Sequence, residues 1–295
     1  MRRFTTTSIN NARRSLYRIQ PNQLNPINPI NPIIETSIND KNSIIKNYHP
    51  VSNILRNSTL IIERKIEYMN LFLGFEQSNK YAVYNESGQQ IAWLIERDFG
   101  FWKLILRQIY KLHRPFKVDL IDLEGNLLMT IDRPFSFINS HIKSYLPDME
   151  TMIGESVQSW HLWRRRYNLF KLDNNNNNNE YEDNELIQFA KIDSGFLRWE
   201  FPLYDKNGLI TGEVSRNFGG LFREALTDTG VYILRMDGNS FPNGESSYGE
   251  INRDGLSFDE RAVLLSNAVS IDFDYFSRHS GGPGFLMFGG GGDDI

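Results

Sequence analysis

A short unit of two β-strands joined by a glycine-containing turn recurs along this chain of 295 residues. Residues 116–134, FKVDLIDLEGNLLMTIDRP, alternate apolar and polar side chains, break at Glu124-Gly125 and alternate again. Such alternation around a glycine turn is typical of a β-hairpin. Similar units span residues 80–96, with Ser87-Gly88 at the turn, and residues 197–216, with Asn207-Gly208 at the turn.

A fourth unit of this kind, residues 167–193, contains six consecutive asparagines, Asn174–Asn179, at its turn. Loop tips tolerate insertions because the entropy of loop closure grows only slowly with length, so we interpret this run as an inert insertion rather than a prion-like tract. Hairpins without alternating crossover helices predict an antiparallel sheet that closes or forms a sandwich to protect its edges. We expect a mainly β fold, a closed antiparallel barrel.

Residues 256–279 break the hairpin pattern and predict a helix. Ser257 and Glu260 have the spacing of a capping box, and nearly every following position is apolar. Such a helix is buried either in protein or in lipid. Its apolar part is about 22 Å long, shorter than the roughly 30 Å of a bilayer core, so we favour a helix inside the barrel over a membrane span. The residues assigned to this helix are Ala262, Val263, Leu264, Leu265, Val269, Ile271, Asp272, Phe273, Asp274 and Phe276.

The first 34 residues differ in charge from the rest of the chain. They carry five arginines and no acidic residue, whereas the whole chain has a net charge of −4. This composition predicts a mitochondrial presequence, with a disordered basic tail as the alternative. The sequence predicts four regions. Residues 1–34 contain the basic head and a proline- and asparagine-rich spacer, and residues 35–59 form a disordered linker. The barrel domain spans 60–278, and a flexible glycine-rich tail spans 279–295.

Several function classes lack support in the sequence. Without cysteine, the chain has no disulfide, thiolate metal site or palmitoylation site. Its acidic balance disfavours nucleic-acid binding, which depends on Lys and Arg. The five histidines are scattered, with no zinc-binding spacing, nucleophile motif or phosphate-binding loop, so we do not expect an enzyme.

Two stretches combine aromatic and basic residues, as segments at a lipid surface do. Residues 160–170, WHLWRRRYNLF, place arginines beside tryptophans, and residues 99–116 form a cationic amphipathic stretch. The first stretch is also consistent with a barrel rim, where strand alternation directs Arg165 opposite to its neighbours. The candidate membrane-contacting residues are Trp102, Lys103, Arg107, Lys111, Arg164, Arg165 and Arg166.

Four separated blocks of the sequence, taken in order, resemble the phospholipid scramblase family, and its fungal mitochondrial branch in particular. The blocks are LIIERKIEYMNLFLGFEQSNKYAVYNESGQQIAWLIE, HRPFKVDLIDLEGNLLMTIDRPF, GEVSRNFGGLFREALTDTGVYILRMD and RAVLLSNAVSIDFDYFS. The resemblance implies a tubby-like barrel of about 12 strands around a central C-terminal helix. It also implies Ca²⁺-stimulated, ATP-independent, bidirectional movement of phospholipids between leaflets. Phospholipids and a membrane surface are then the expected partners, and a mitochondrial membrane the expected location.

The Ca²⁺ site that the resemblance implies is poorly matched here. The corresponding segment offers oxygen ligands only at Asp228, Thr229 and Asp237, and Arg235 opposes a cation. A strand that leaves a turn is the alternative interpretation of this segment. A second function also stays open, that of a soluble lipid- or phosphoinositide-binding module or adaptor that moves no lipid.

Overall fold

Twelve antiparallel strands form a closed barrel in a computed structural model that describes residues 42–65, 79–97, 115–136, 138–173, 185–217 and 230–276. Each strand pairs with the strands before and after it in the chain, and β1 pairs with β12 to close the barrel. The bounds are β1 Thr59–Lys65, β2 Lys80–Tyr84, β3 Gln90–Glu96, β4 Phe116–Ile121, β5 Leu127–Arg133, β6 His141–Tyr145, β7 Met152–Gln158, β8 Arg164–Leu172, β9 Leu186–Gly195, β10 Glu200–Tyr204, β11 Ile210–Asn217 and β12 Val231–Arg235.

The predicted hairpins are confirmed, and three of them share one turn chemistry. In the β4–β5 turn, the Asp122 carboxylate accepts hydrogen bonds from the N–H groups of Glu124 and Asn126, at 2.9 and 2.8 Å. Gly125 then adopts a φ of +92°, which a residue with a side chain rarely adopts. Asn85 and Asp205 bond the β2–β3 and β10–β11 turns in the same way. The local pattern therefore sets three of the pairings.

The poly-asparagine hairpin is also formed, because β8 pairs with β9 from Arg164↔Gly195 to Leu172↔Leu186. The asparagines themselves lie outside the described residues. Along β4 the side chains alternate between buried and partly exposed, which places one face of the strand in the barrel interior.

A buried helix fills the barrel. Helix α2, Phe258–Ile271, continues into one π-helical turn, Asp272–Phe276. The predicted capping box is present: Ser257 N–H donates to Glu260 Oε2 at 2.9 Å, and the Ser257 hydroxyl accepts from Glu260 N–H. The apolar helix residues named from the sequence are buried, except that Phe276 is partly exposed. The expectation of a helix inside the barrel is confirmed.

The helix and the wall meet at close range. An ideal Cβ added to Gly154 on β7 would lie 2.3 Å from the carbonyl oxygen of Phe170 and 2.8 Å from Val263 Cγ2. The polar residues of α2 have partners inside the barrel: the Ser266 and Ser144 hydroxyls lie 2.7 Å apart, and the Asn267 amide donates to the Ser156 hydroxyl at 2.8 Å.

The described part of the segment before β1, residues 42–58, is folded, in contrast to the disordered linker expected over 35–59. Ile45 is buried, and so are four of the five residues of helix α1, Val51–Leu55, in which only Asn53 is exposed. The N–H groups of Ile44 and Ile45 donate to the Asp259 carboxylate at 2.7 and 2.8 Å. This segment packs on the N-terminal end of α2. The linker prediction failed here because the partner is more than 200 residues away and leaves no local sequence signal.

Candidate functional site

The two ends of the barrel expose different side chains. Because consecutive strands are antiparallel, every second connection lies at the same end, so the β5–β6, β7–β8 and β9–β10 connections share one end. We call it the aromatic end. Of the eleven large apolar side chains exposed in the described part of the chain, eight lie on these three connections. These eight, which we call the rim, are Phe135, Ile138, Trp160, Leu162, Trp163, Phe196, Leu197 and Trp199.

Hydrogen bonds donated by backbone N–H groups join the three connections of the rim. Trp160 N–H donates to the Asn139 side-chain oxygen at 3.0 Å, which joins the β7–β8 and β5–β6 connections. Phe196 N–H donates to the Trp163 carbonyl oxygen at 3.2 Å, which joins the β9–β10 and β7–β8 connections. The rim side chains are therefore carried by one hydrogen-bonded set of loops. Exposed apolar residues gathered in this way mark interaction surfaces, and tryptophans are enriched where such a surface meets a bilayer interface.

The three consecutive arginines that begin β8 alternate between two environments, as the strand pattern predicts. Arg164 and Arg166 face outward and both form ion pairs with Asp193 on β9. Partial burial raises the pKa of Asp193, but hydrogen bonds and charge from the two arginines outweigh it, so the pKa is lowered. Arg165 points into the barrel and is only 8% exposed.

Arg165 lies among aromatic rings at the inner side of the rim. Its guanidinium carbon is 4.3 Å from the ring centroid of Tyr275, 5.1 Å from that of Phe276 and 5.3 Å from that of Phe196. The Phe276 ring also stacks on the rim residue Trp199, with centroids 5.0 Å apart. The end of the central helix thus meets the rim at this arginine.

Two aspartates at the end of α2 bind polar groups from the barrel wall. Asp272 accepts hydrogen bonds from the hydroxyls of Tyr81 and Tyr232, at 2.5 and 2.6 Å. Burial, followed by the negative charge of Asp272, raises the pKa of both tyrosines well above the ordinary value. Both phenols therefore stay protonated and act as donors.

Asp274 forms a similar group. Its carboxylate pairs with Arg133 at 2.7 Å and accepts hydrogen bonds from the hydroxyls of Tyr167 and Ser270, at 2.8 and 3.2 Å. Both carboxylates are nearly inaccessible, with Asp272 at 2% and Asp274 at 7% exposure. The two carboxylates therefore anchor the C-terminal end of the helix to the barrel wall, and neither of them lies at the protein surface.

A model of the Scramblase family matches residues 39–278 of the chain. The chain belongs to the Scramblase family. Among curated proteins, this scramblase-family chain is similar to "Altered inheritance rate of mitochondria protein 25" of Saccharomyces cerevisiae, at 49% identity over 87% of this chain and 82% of that protein. It is similar to a phospholipid scramblase family protein of Schizosaccharomyces pombe, at 42% identity over 82% of this chain and 66% of that protein. Human phospholipid scramblase 1 is 24% identical over 74% of this chain and 62% of its own length. No solved structure gives a significant match.

The other site residues predicted for this scramblase-family chain are placed only in part. Trp102, Lys103, Arg107 and Lys111 lie outside the described residues, as do Asp228 and Thr229. Asp237 is described and fully buried. Its Oδ2 accepts a hydrogen bond from Arg261 at 3.0 Å, and its Oδ1 accepts one from Asn239 N–H at 3.1 Å.

Both carboxylate oxygens of Asp237 therefore already accept hydrogen bonds, one of them from the cation Arg261. In this position Asp237 does not suit a role as a Ca²⁺ ligand. The described residues contain no group of three acidic or histidine side chains suited to a metal ion. Within the same residues, no helix is both long enough and apolar enough to cross a membrane.

Sequence reasoning found one part of the rim and missed the others. The stretch at 160–170 was recognised because aromatic and basic residues are adjacent in it. Phe135 and Ile138 on one connection, and Phe196 and Leu197 on another, carried no comparable signal. They join the rim only because the closed barrel brings alternate connections to the same end.

Proposed function

We propose that this scramblase-family protein moves phospholipids between the leaflets of a mitochondrial membrane without making or breaking covalent bonds, and that it docks on the bilayer through the rim. The observation that carries the proposal is the concentration of exposed apolar side chains at one barrel end. Trp160, Trp163 and Leu197 are 61%, 69% and 84% exposed there.

The physical difficulty of this activity is the polar headgroup. A polar group without hydrogen bonds costs several kcal/mol in hydrocarbon, and a charged group costs more. The aromatic end combines an apolar rim with buried arginine, tyrosine and aspartate side chains directly beneath it. In the proposal, the rim enters the headgroup region while polar groups at the same end offer hydrogen bonds to a headgroup.

The mitochondrial location rests on two observations. One is the similarity to a yeast protein named for mitochondrial inheritance. The other is the basic composition of residues 1–34, which is that of a presequence.

Ca²⁺ dependence remains a hypothesis that the same assay addresses. Asp228 and Thr229 are the remaining candidate ligands, because Asp237 is held by Arg261. We derive no step of lipid movement from a bound Ca²⁺ ion.

The experiment is a lipid-exposure assay. The full chain is reconstituted in vesicles that carry a dye-labelled phospholipid, and exposure of the label to an external quencher is followed with and without Ca²⁺. The rim variant Trp160→Ser/Leu162→Ser/Trp163→Ser is compared with a control that removes exposed apolar groups away from the rim, Tyr48→Ser/Leu123→Ser, whose side chains are 80% and 58% exposed.

We expect rapid exposure of the label with the wild-type chain and the control, and loss of exposure with the rim variant. If the wild-type chain exposes no more label than empty vesicles do, lipid movement is excluded. If both variants retain full activity, the rim is not the docking surface.

A second candidate function is lipid binding without translocation, as by a soluble lipid- or phosphoinositide-binding module or adaptor. The specific observation in its favour is that α2 lies inside the barrel, with Arg261 through Asp274 all buried. This alternative predicts that the wild-type chain binds vesicles through the rim, and therefore floats with them, but does not expose the labelled lipid to the quencher.

A further inference from the structure

Arg165 is a buried cation without a carboxylate partner among the described residues. Its Nη1 donates to the Arg198 carbonyl oxygen at 3.2 Å, and its buried Nε has no hydrogen-bond acceptor. Arg164 and Arg166, on either side, both pair with Asp193. Buried charges are ordinarily paired, because an unpaired charge loses its hydration without compensation.

Arg261 is the useful comparison, because it is also buried, although Arg165 keeps 8% of its surface exposed. Arg261 is 0% exposed, pairs with Asp237, and donates to the carbonyl oxygens of Leu55, Leu256 and Asn57. Its hydrogen-bonding capacity is used within the fold. Burial alone therefore does not explain why the Nε–H of Arg165 lacks a hydrogen-bond acceptor.

A second positive charge, that of Arg216, acts on Arg165. Arg216 on β11 places its guanidinium carbon 4.1 Å from the centroid of the same Phe276 ring, and 5.0 Å from that of Trp199. Burial, together with the charge of Arg216, lowers the pKa of Arg165 against the opposing effect of Tyr275, Tyr167 and Tyr232. An anion at this position would relieve both the desolvation and the repulsion.

We propose that Arg165, with Arg216 at the same Phe276 ring, forms a binding site for one phosphate group at the inner side of the rim. Arginine presents a planar set of donors that matches phosphate oxygens, and a tetrahedral dianion or diester accepts from more than one arginine. This proposal deepens the proposed function, since a phospholipid headgroup supplies such a phosphate, but free phosphate has the same chemistry.

The position of the site suits a headgroup. Tryptophan side chains at a bilayer surface lie at headgroup depth, and the rim carries Trp160, Trp163 and Trp199. One of the rings over Arg165 belongs to Phe196, which is 48% exposed on the β9–β10 connection. The cover on this side is thus a turn side chain, which can change rotamer without breaking a strand pairing.

The test measures phosphate binding to the full chain by calorimetry, with inorganic phosphate, soluble glycerophosphocholine, and vesicles of phosphatidylcholine with and without phosphatidic acid. Arg165→Gln is compared with the matched control Arg164→Gln, the adjacent arginine that faces outward and is paired with Asp193. For inorganic phosphate and glycerophosphocholine, we expect Arg165→Gln to weaken binding about 10- to 100-fold, because a hydrogen bond to a charged group contributes about 1.5–3 kcal/mol. Arg164→Gln should change the binding of these two soluble ligands by less than about threefold.

A second measurement, made on the wild-type chain, tests the site without depending on whether a variant folds. In the wild-type chain, added phosphate should shift the Nε–H resonance of Arg165, and Arg165→Lys should retain part of the affinity because it keeps the charge but not the planar donor set. Arg165-dependent binding of inorganic phosphate alone supports the site with free phosphate as its ligand. Arg165-dependent binding of glycerophosphocholine or of vesicles supports a lipid headgroup.

Two results would overturn the proposal. One is an equal loss of binding in Arg164→Gln and Arg165→Gln, which indicates a diffuse surface charge. The other is an unchanged Arg165 resonance at saturating phosphate. The lipid-exposure assay tests the proposed function independently of the phosphate site. If the chain moves no lipid, Arg165-dependent phosphate binding can still be measured, and if Arg165 binds no phosphate, lipid movement can still be measured.

Discussion

Substitution by methionine is expected to affect the stability of this fold very differently at two buried arginines. Arg261→Met removes the partner of the buried Asp237 and four hydrogen bonds, and should lower the free energy of unfolding by about 3–5 kcal/mol. Arg165→Met removes a charge that has no carboxylate partner in the described fold, and should change stability by less than about 1 kcal/mol or increase it.

Urea unfolding followed by circular dichroism measures both values. Similar large losses in the two variants would mean that Arg165 has a structural role comparable to that of Arg261. A small effect at Arg165 fits a residue retained for binding rather than for stability.

Asp259 provides a pH-dependent prediction at the same scale. Burial raises its pKa from the ordinary 3.8 to about 6, although the N–H groups of Ile45 and Ile44 act in the opposite direction. The folded chain therefore binds this proton more tightly than the unfolded chain. The stabilisation is fully present below about pH 4 and is lost as the pH rises through about 6.

The comparison is with Asp259→Asn, which cannot ionise. Between about pH 4 and pH 7, the free energy of unfolding of the wild-type chain should fall relative to that of the variant by about 3 kcal/mol, the value of a shift of roughly two pKa units. A difference that stays constant over this range would show that Asp259 titrates normally in the folded chain.

At the scale of elements, the contact between α2 and β7 depends on a missing side chain. Gly154→Ala places a methyl group against the Phe170 carbonyl oxygen and Val263, so the helix or the strand must shift. We expect a loss of about 1–3 kcal/mol, the range for overpacking. The matched control is Gly195→Ala at the end of β9, where the nearest atom, Arg198 Cγ, would be at an ordinary 3.5 Å.

Thermal unfolding of the two glycine variants distinguishes the explanations. A general penalty for losing a strand glycine would affect both equally. A close approach of the helix affects Gly154→Ala alone.

The elements differ in how well the sequence predicts them. The hairpin turn at Asp122 and Gly125 and the helix start at Ser257 and Glu260 are local, so a few adjacent residues determine each of them. The docking of Ile45 on Asp259 and the grouping of Phe135 with Phe196 depend on contacts between distant parts of the chain. A single sequence contains no periodic pattern for such contacts, which explains why the first set was predicted and the second was not.

At the scale of the whole molecule, the rim predicts a fixed orientation on a bilayer. The test uses variants that retain one of the five tryptophans and have phenylalanine at the other four positions. The fluorescence of Trp163 should be quenched by bromine attached to lipid acyl chains. Trp93 on the barrel wall, where the Lys80 ammonium lies 4.1 Å from its ring, should not be quenched. Equal quenching of both would mean that the barrel has no preferred orientation on the membrane.

Closure of the barrel also determines when the fold can be completed. The pairing of Thr59 with Arg235 joins the first and last strands, and the helix that fills the interior follows both in the chain. A chain that emerges from a ribosome or a translocation pore N-terminus first must therefore present its inner strand faces to water until its last segment arrives. Such late, non-local closure makes folding slow and leaves a long interval in which aggregation competes. A chaperone that holds the emerging strands would act during this interval, before the helix is delivered.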